Sequence, residues 1–396
     1  MMCAHRMTRT AALVATATAV LLAMALWFGV SAVAPQIAKE WQLDAATSAW
    51  LTLAVQLGFV AGTLLSALLN LPDVLRVRHL FAVSAIVGAL VNALFAWRVH
   101  SVGPAIALRF VTGVCLAGVY PPGMKIIATW FRTGRGLALG ILIGALTLGK
   151  ASPYLINAIG SSNWRGNVAL ASVGSTIAAV IVLLFVHDGP YALPNQPFDI
   201  TQFARVFSNR GVRLANFGYF GHMWELYAMW TWAPVMIRAS LGASGAPPLL
   251  AESASFLVIG CGAAGCVVAG LIADRIGRPV VAGVAMAISG ACCIAIGFLY
   301  AGSPAALLTV AAIWGATVVA DSAQFSACVT EFGDPRYLGT ALTLQTCIGF
   351  LITTISIRLM PVLVDAVGWR YAFIALAPGP LLGIVAMIRL GARRSS

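Results

Sequence analysis

Long apolar runs alternate with short polar breaks along the whole chain. The runs lie near 11–34, 47–70, 79–97, 102–128, 136–160 and 166–186. A polar stretch from His187 to Gly211, holding Pro190, Pro194 and Pro197, interrupts them. Further runs follow near 212–237, 249–273, 280–300, 304–329, 337–363 and 368–390. A helix needs about 20 apolar residues to cross a hydrocarbon layer ~30 Å thick, so each run can span a membrane. The pattern is six spans, a linker and six spans, numbered here 1 to 12. With 396 residues for twelve spans, only loops remain and no soluble domain fits. The expected fold class is all-α integral membrane. Residues 1–187 form an N-terminal six-helix bundle, 188–211 a cytoplasmic linker and 212–396 a C-terminal six-helix bundle. The first run follows a basic stretch with Arg6 and Arg9 and contains Ala32-Val33-Ala34, as a cleaved signal peptide does. It is too long for a signal core and carries Trp27-Phe28, so it is taken as a retained first helix.

Composition sharpens this picture. The chain is 60% hydrophobic and 9% charged, with a mean hydropathy of +0.93, whereas soluble domains carry ~25% charged residues. A net charge of +12 points to nucleic acid in a soluble protein, but here it marks orientation. With the N-terminus inside, the inner side holds Arg6, Arg9, Arg76, Arg78, Lys125, Arg132, Arg135, Arg205, Arg210, Arg213, Arg275, Arg278, Arg336, Arg389, Arg393 and Arg394. The outer side holds Lys39, Arg98, Arg165, Arg238, Arg358 and Arg370, and only Arg109 and Lys150 lie inside spans. Both termini are therefore expected in the cytoplasm. Of the eight cysteines only Cys3 lies outside the apolar runs, and none sits in a CxxC pair. No disulfide framework, metal site or cofactor is expected.

The break between spans 8 and 9 reads Gly270-Leu-Ile-Ala-Asp274-Arg275-Ile-Gly277-Arg278-Pro279. Gly270 permits close helix approach, Gly277 permits a tight turn, and the charges stay in water. This stretch resembles the loop signature of the major facilitator superfamily of transporters, which joins helices 2 and 3 there and recurs between helices 8 and 9. The two halves also echo one another: Asn163-Trp164-Arg165 follows span 5 and Gly368-Trp369-Arg370 follows span 11. The loop between spans 2 and 3, with Asp73, Arg76 and Arg78, is a worn copy without the glycines. If the motif locks helices in one state, the N-terminal lock is the weaker. The resemblance implies a secondary transporter working by alternating access of two six-helix bundles.

The intramembrane polar residues carry the candidate chemistry. Arg109-Phe-Val-Thr-Gly113 in span 4 resembles the superfamily's Arg-x-x-x-Gly element, associated there with proton transfer or substrate contact. The alternative is an arginine that snorkels to the outer interface. Span 5 opens with Gly136-x-x-x-Gly140-x-x-x-Gly144, a packing stripe, followed by Lys150 near mid-membrane. Thr147, Lys150, Tyr154 and Asn157 share a helix face, and Lys150 is read as an anion-binding lysine or else half of a structural ion pair. In span 7, His222, Glu225, Met229 and Trp232 share another face. Glu225 is the candidate proton carrier, with His222 beside it, or a fixed partner for Lys150 or Arg109. Trp230 and Trp232 read chiefly as packing, with Trp232 retained as a candidate substrate contact. Asp321, with Gln324 three residues on, is a second protonation site or a gate partner. Gln56, Asn92 and Gln345 suit interhelical hydrogen bonds, while Glu252 and Arg358 lie near the outer surface and are assigned nothing.

The cations Arg109 and Lys150 thus lie in the N-terminal half and the acids Glu225 and Asp321 in the C-terminal half. The reading is a transporter of the inner membrane in which the cations bind a small organic anion. Protonation of Glu225 then breaks a competing salt bridge. Proton-driven efflux of drugs or lipophilic metabolites is the alternative, disfavoured because the Gly-Pro element of drug antiporters fails at Gly149-Lys150. The Gly-Asn-rich signature of nitrate porters is absent as well. No catalytic dyad or phosphate loop is present, so no enzyme is expected. The expected partners are a small-molecule substrate, protons and the lipid bilayer, with no nucleic acid, and the chain is expected to act as a monomer.

Overall fold

A computed structural model describes residues 7–159, 163–191 and 198–392, and most of these are helical with no strand among them. Cys3, Arg6, Pro194, Pro197, Arg393 and Arg394 lie outside the described residues. Ten helical stretches are long and apolar enough to cross a membrane. Two features raise the ten to twelve. Arg210–Ala243 is a 34-residue helix whose polar and aromatic content hides it from an apolarity test. Leu338–Gly391 is a 54-residue stretch, ~80 Å if straight, and it turns at Gly368, where φ is 69° and ψ 172°. That glycine divides spans 11 and 12, a backbone conformation open to a residue without Cβ.

Three expected boundaries are corrected. Span 1 is Arg9–Phe28 and stops short of Ala34. Pro35 then opens a separate short helix, Ala34–Trp41, where its missing N–H leaves no bond unmade. Span 4 is broken between Val102–Ala117 and Tyr120–Trp130. Span 10 is broken between Pro304–Thr317 and Ser322–Phe332, so Asp321 sits in a helix break.

Helix pairing repeats between the halves. Span 1 packs on spans 5 and 6, span 2 on span 4, and span 3 on span 6. In the second half span 7 packs on spans 11 and 12, span 8 on span 10, and span 9 on span 12. The result is two pseudo-symmetric six-helix bundles, joined where span 5 meets span 8 and where span 2 meets span 11. The glycine stripe explains the first junction. A Cβ on Gly140 would stand 2.7 Å from the Cys266 carbonyl oxygen, and one on Gly144 3.1 Å from that of Ala263. From the opposite side, a Cβ on Gly270 would stand 2.9 Å from the Gly136 oxygen.

The basic ends of the spans share one face of the molecule, called here the basic face; the opposite is the far face. On the basic face Gly277 turns the chain with φ 95°. Asp274 lies over the first turn of span 5, its carboxylate oxygens 3.4 Å from where a Gly136 Cβ would be, a position the helix dipole favours for a negative charge. Arg278 holds Asp274 at 3.3 Å and Glu331 of span 10 at 3.1 Å, and Arg275 is exposed. The matching N-terminal loop stays within its own bundle, where Asp73 pairs with Lys125 at 2.5 Å.

Candidate substrate and proton sites

At the centre, where the bundles meet, Lys150 is fully buried. Its ammonium donates to the Tyr227 hydroxyl of span 7. It stands 3.9 Å from the Trp27 ring, 4.5 Å from that of Tyr227 and 4.9 Å from that of Trp230. Phe59 of span 2 and Phe350 of span 11 extend the aromatic wall, 4.6 Å apart. No carboxylate pairs with Lys150 among the described residues. Desolvated cation–π contacts are worth ~2 kcal/mol each, which offsets only part of the cost of burying an ammonium. The site is therefore an aromatic box around a lysine amine with no carboxylate partner among the described residues, built by both bundles.

Arg109 is elsewhere than expected. Its guanidinium donates to the carbonyls of Leu51 (3.1 Å), Leu26 (2.9 Å) and Trp27 (2.5 Å). Two of these belong to the last turn of span 1, whose end carbonyls have no helical partners. It is fully buried, so the snorkelling alternative is also set aside. Arg109 thus ties the end of span 1, whose Trp27 ring stands against Lys150, to spans 2 and 4. Arg109→Met leaves the two end carbonyls of span 1, Leu26 and Trp27, without donors, each costing ~1–3 kcal/mol. The expected result is a clear drop in melting midpoint in detergent, partly restored by Arg109→Lys. An unchanged midpoint with weaker substrate binding would return Arg109 to direct contact.

Glu225 faces the interior of the C-terminal bundle. Trp314 Nε1 donates to its Oε1 at 2.7 Å and Ser289 Oγ to its Oε2 at 2.9 Å. No cation pairs with it among the described residues, which corrects the expected salt bridge to Lys150 or Arg109. The reason is rotation: Glu225 and Tyr227 are two residues apart, ~200° round the helix. His222 lies between Asp321, 2.8 Å from Nδ1, and Ser322, whose hydroxyl is 2.9 Å from Nε2. The break in span 10 brings Asp321 to His222. Three titratable groups thus lie on one side of span 7 and the Lys150 box on the other.

The remaining candidates are dispersed. Tyr154 is buried on the Lys150 face of span 5. Asn157 accepts from Gln36 and Asn167, both at 3.1 Å, and so binds the segment after span 1 to span 6. Trp232 donates to the Ile357 carbonyl at 2.9 Å inside the C-terminal bundle, away from the box. Trp27, Phe59, Tyr227, Trp230 and Phe350 went unassigned as site residues. The signal was present only for Tyr227 and Trp230, which share the face of span 7 opposite Glu225. Among the described residues no group of three His, Cys, Asp or Glu is placed to hold a metal ion.

Comparison with known proteins agrees with this architecture. The sequence model of the Major Facilitator Superfamily matches residues 16–355 and 215–396. No curated relative matches the chain by sequence. Among solved structures, the chain is similar to a proton:xylose symporter of the same superfamily bound to 6-bromo-6-deoxy-D-glucose. That match has a TM-score of 0.73 and 13% identity, over 96% of this chain and 95% of the other. At that identity the likeness is one of fold.

Proposed function

Because the chain is a member of the major facilitator superfamily, we propose that it moves a small organic anion by proton-coupled alternating access. Lys150 holds the anion, and Glu225 with His222 and Asp321 carries the proton. The observation that supports this is the uncompensated Lys150 cation inside its aromatic box. An unpaired intramembrane charge is costly, and an anionic cargo completes it. The rings accept an apolar or aromatic body and keep water away. A lipophilic cation meets repulsion from the resident ammonium, which disfavours cation efflux. The Lys and Arg surplus supports a basic face in the cytoplasm, with both termini there.

In this reading span 7 links the two sites. A proton taken by Glu225 changes what Trp314 and Ser289 bond to on one side of the helix, while Tyr227 and Trp230 respond on the other. The coupling is mechanical and does not need a salt bridge between them. Glu225→Gln mimics the protonated acid and can keep both hydrogen bonds. The expected outcome in proteoliposomes is retained anion exchange with loss of accumulation driven by a pH gradient. Accumulation at the parent level would remove Glu225 from the coupling.

A further inference from the structure

We propose that a groove between spans 2 and 11 is a lateral loading site for amphipathic organic anions, leading from the far face towards Lys150. This deepens the anion reading above and rests on it. The groove holds about 480 Å³ and is lined by Trp50, Leu53 and Leu57 of span 2 and by Ile355, Leu359 and Val362 of span 11. Thr354, the one neutral polar side chain in it, turns its hydroxyl back to the Leu351 carbonyl at 2.6 Å, so the walls are apolar.

One charge stands in this groove. Arg358 is exposed, with its guanidinium carbon 5.4 Å from the centre of the Trp50 ring. It makes no hydrogen bond or ion pair among the described residues. The Asp44 carboxyl is held below its ordinary range by the Thr47 hydroxyl and amide, and to a lesser degree by Arg358. Even so, no ion pair closes between Asp44 and Arg358. An apolar track with an unpaired cation at its rim fits a molecule with an apolar body and one anionic end.

The groove ends where the bundles touch. Gln56 Nε2 donates to Thr353 Oγ1 at 3.3 Å, and the other Gln56 amide atom, Oε1, is buried without a partner. Beside this contact Phe59 meets Phe350, and Trp27 stands 4.9 Å from Phe59 and 5.6 Å from Phe350. The Lys150 ammonium in turn stands 3.9 Å from the centre of the Trp27 ring. From Arg358 to Phe350 is eight residues of span 11, a rise of ~12 Å. The track therefore joins two unpaired cations through a contact that parts when the bundles rock. That continuity favours cargo over a resident lipid as the occupant.

The test uses the full chain in nanodiscs of neutral phosphatidylcholine, with 8-bromooctanoate as a quencher of tryptophan fluorescence. The groove signal is the part lost in Trp50→Phe. Saturable quenching is expected, weakened about tenfold in Arg358→Gln as one charge-assisted contact is lost, and similarly weak with 8-bromooctanol. Equal quenching by the alcohol, or no effect of Arg358→Gln, overturns the proposal. So does loss of the signal on adding phosphatidylglycerol, since a resident lipid then owns the groove. Octanoate uptake undiminished in Leu57→Trp, which fills the groove, overturns it as well. Lys150→Ala is expected to keep the groove signal while uptake disappears. Wild-type quenching without any octanoate uptake sinks the central anion reading and leaves the groove standing.

Discussion

Lys150→Ala is expected to lower gradient-driven uptake of small organic anions at least ~100-fold, while the folded protein remains as stable as the parent or more so. The two halves of that expectation have one cause. The ammonium is fully buried with rings and a phenol for company and, among the described residues, no acid. Cation–π contacts of ~2 kcal/mol each do not repay the several kcal/mol of desolvation that an ion loses on burial. Removing the charge relieves the fold and deprives the cargo of its counter-ion, the usual pattern where a strained group serves function. Lys150→Arg keeps the charge but brings a planar fork into a box sized for an ammonium, so partial activity is expected. Uptake of a panel of organic anions and lipophilic cations, with melting midpoints alongside, tests both halves. Anion uptake at the parent level in Lys150→Ala would end the anion-site reading.

Gly140→Leu is expected to stop transport by preventing spans 5 and 8 from closing on the basic face. The Cβ alone would stand 2.7 Å from the Cys266 carbonyl oxygen, and the atom in the way is backbone. The helices must separate, and with them the Asp274 carboxylate leaves the first turn of span 5. Loss of that charge–dipole contact removes a further ~0.3–1 kcal/mol from the closed state. Alkylation of a cysteine placed at Ala263, with the native cysteines replaced, reads the separation. Labelling at least ~10-fold faster than in the Gly140 parent is expected, since the junction is then open to water and reagent for most of the time. Unchanged labelling with intact transport would show that this junction is not part of the cycle.

The twelve spans were legible because lipid admits backbone only when each span satisfies its own hydrogen bonds, so long apolar runs report helices directly. The Asp274 hairpin was legible because Gly270 and Gly277 stand where close approach and a positive φ need them. Periodicity also placed His222, Glu225, Met229 and Trp232 on one face of span 7. It carried no information on which way that face points, and the inward-facing acid was therefore paired with the wrong bundle. The break that brings Asp321 to His222 arises from tertiary packing, since nothing in 318–321 is a strong breaker. Arg109 binds backbone carbonyls, and no side-chain pattern announces a carbonyl. Trp230 reads as packing because aromatic residues usually are, and Tyr227 carries no separate signal in the sequence beyond the face it shares with Trp230.

Span 7 has a consequence for how the protein is made. Arg210–Ala243 carries His222, Glu225 and several aromatic side chains in its middle, and most of its residues are covered by other helices. A segment this polar gains little from lipid by itself, so a translocon that sorts helices one at a time has weak grounds to release it sideways. It enters the bilayer in company, with its neighbours arriving to shelter the acid. During synthesis six apolar spans precede it, and span 8 is the next strongly apolar segment to emerge. The residues that serve transport therefore set the most vulnerable moment of assembly. Destabilising changes in spans 11 and 12, the shelter of span 7, surface as failed insertion and degradation before any defect in the cycle can be measured.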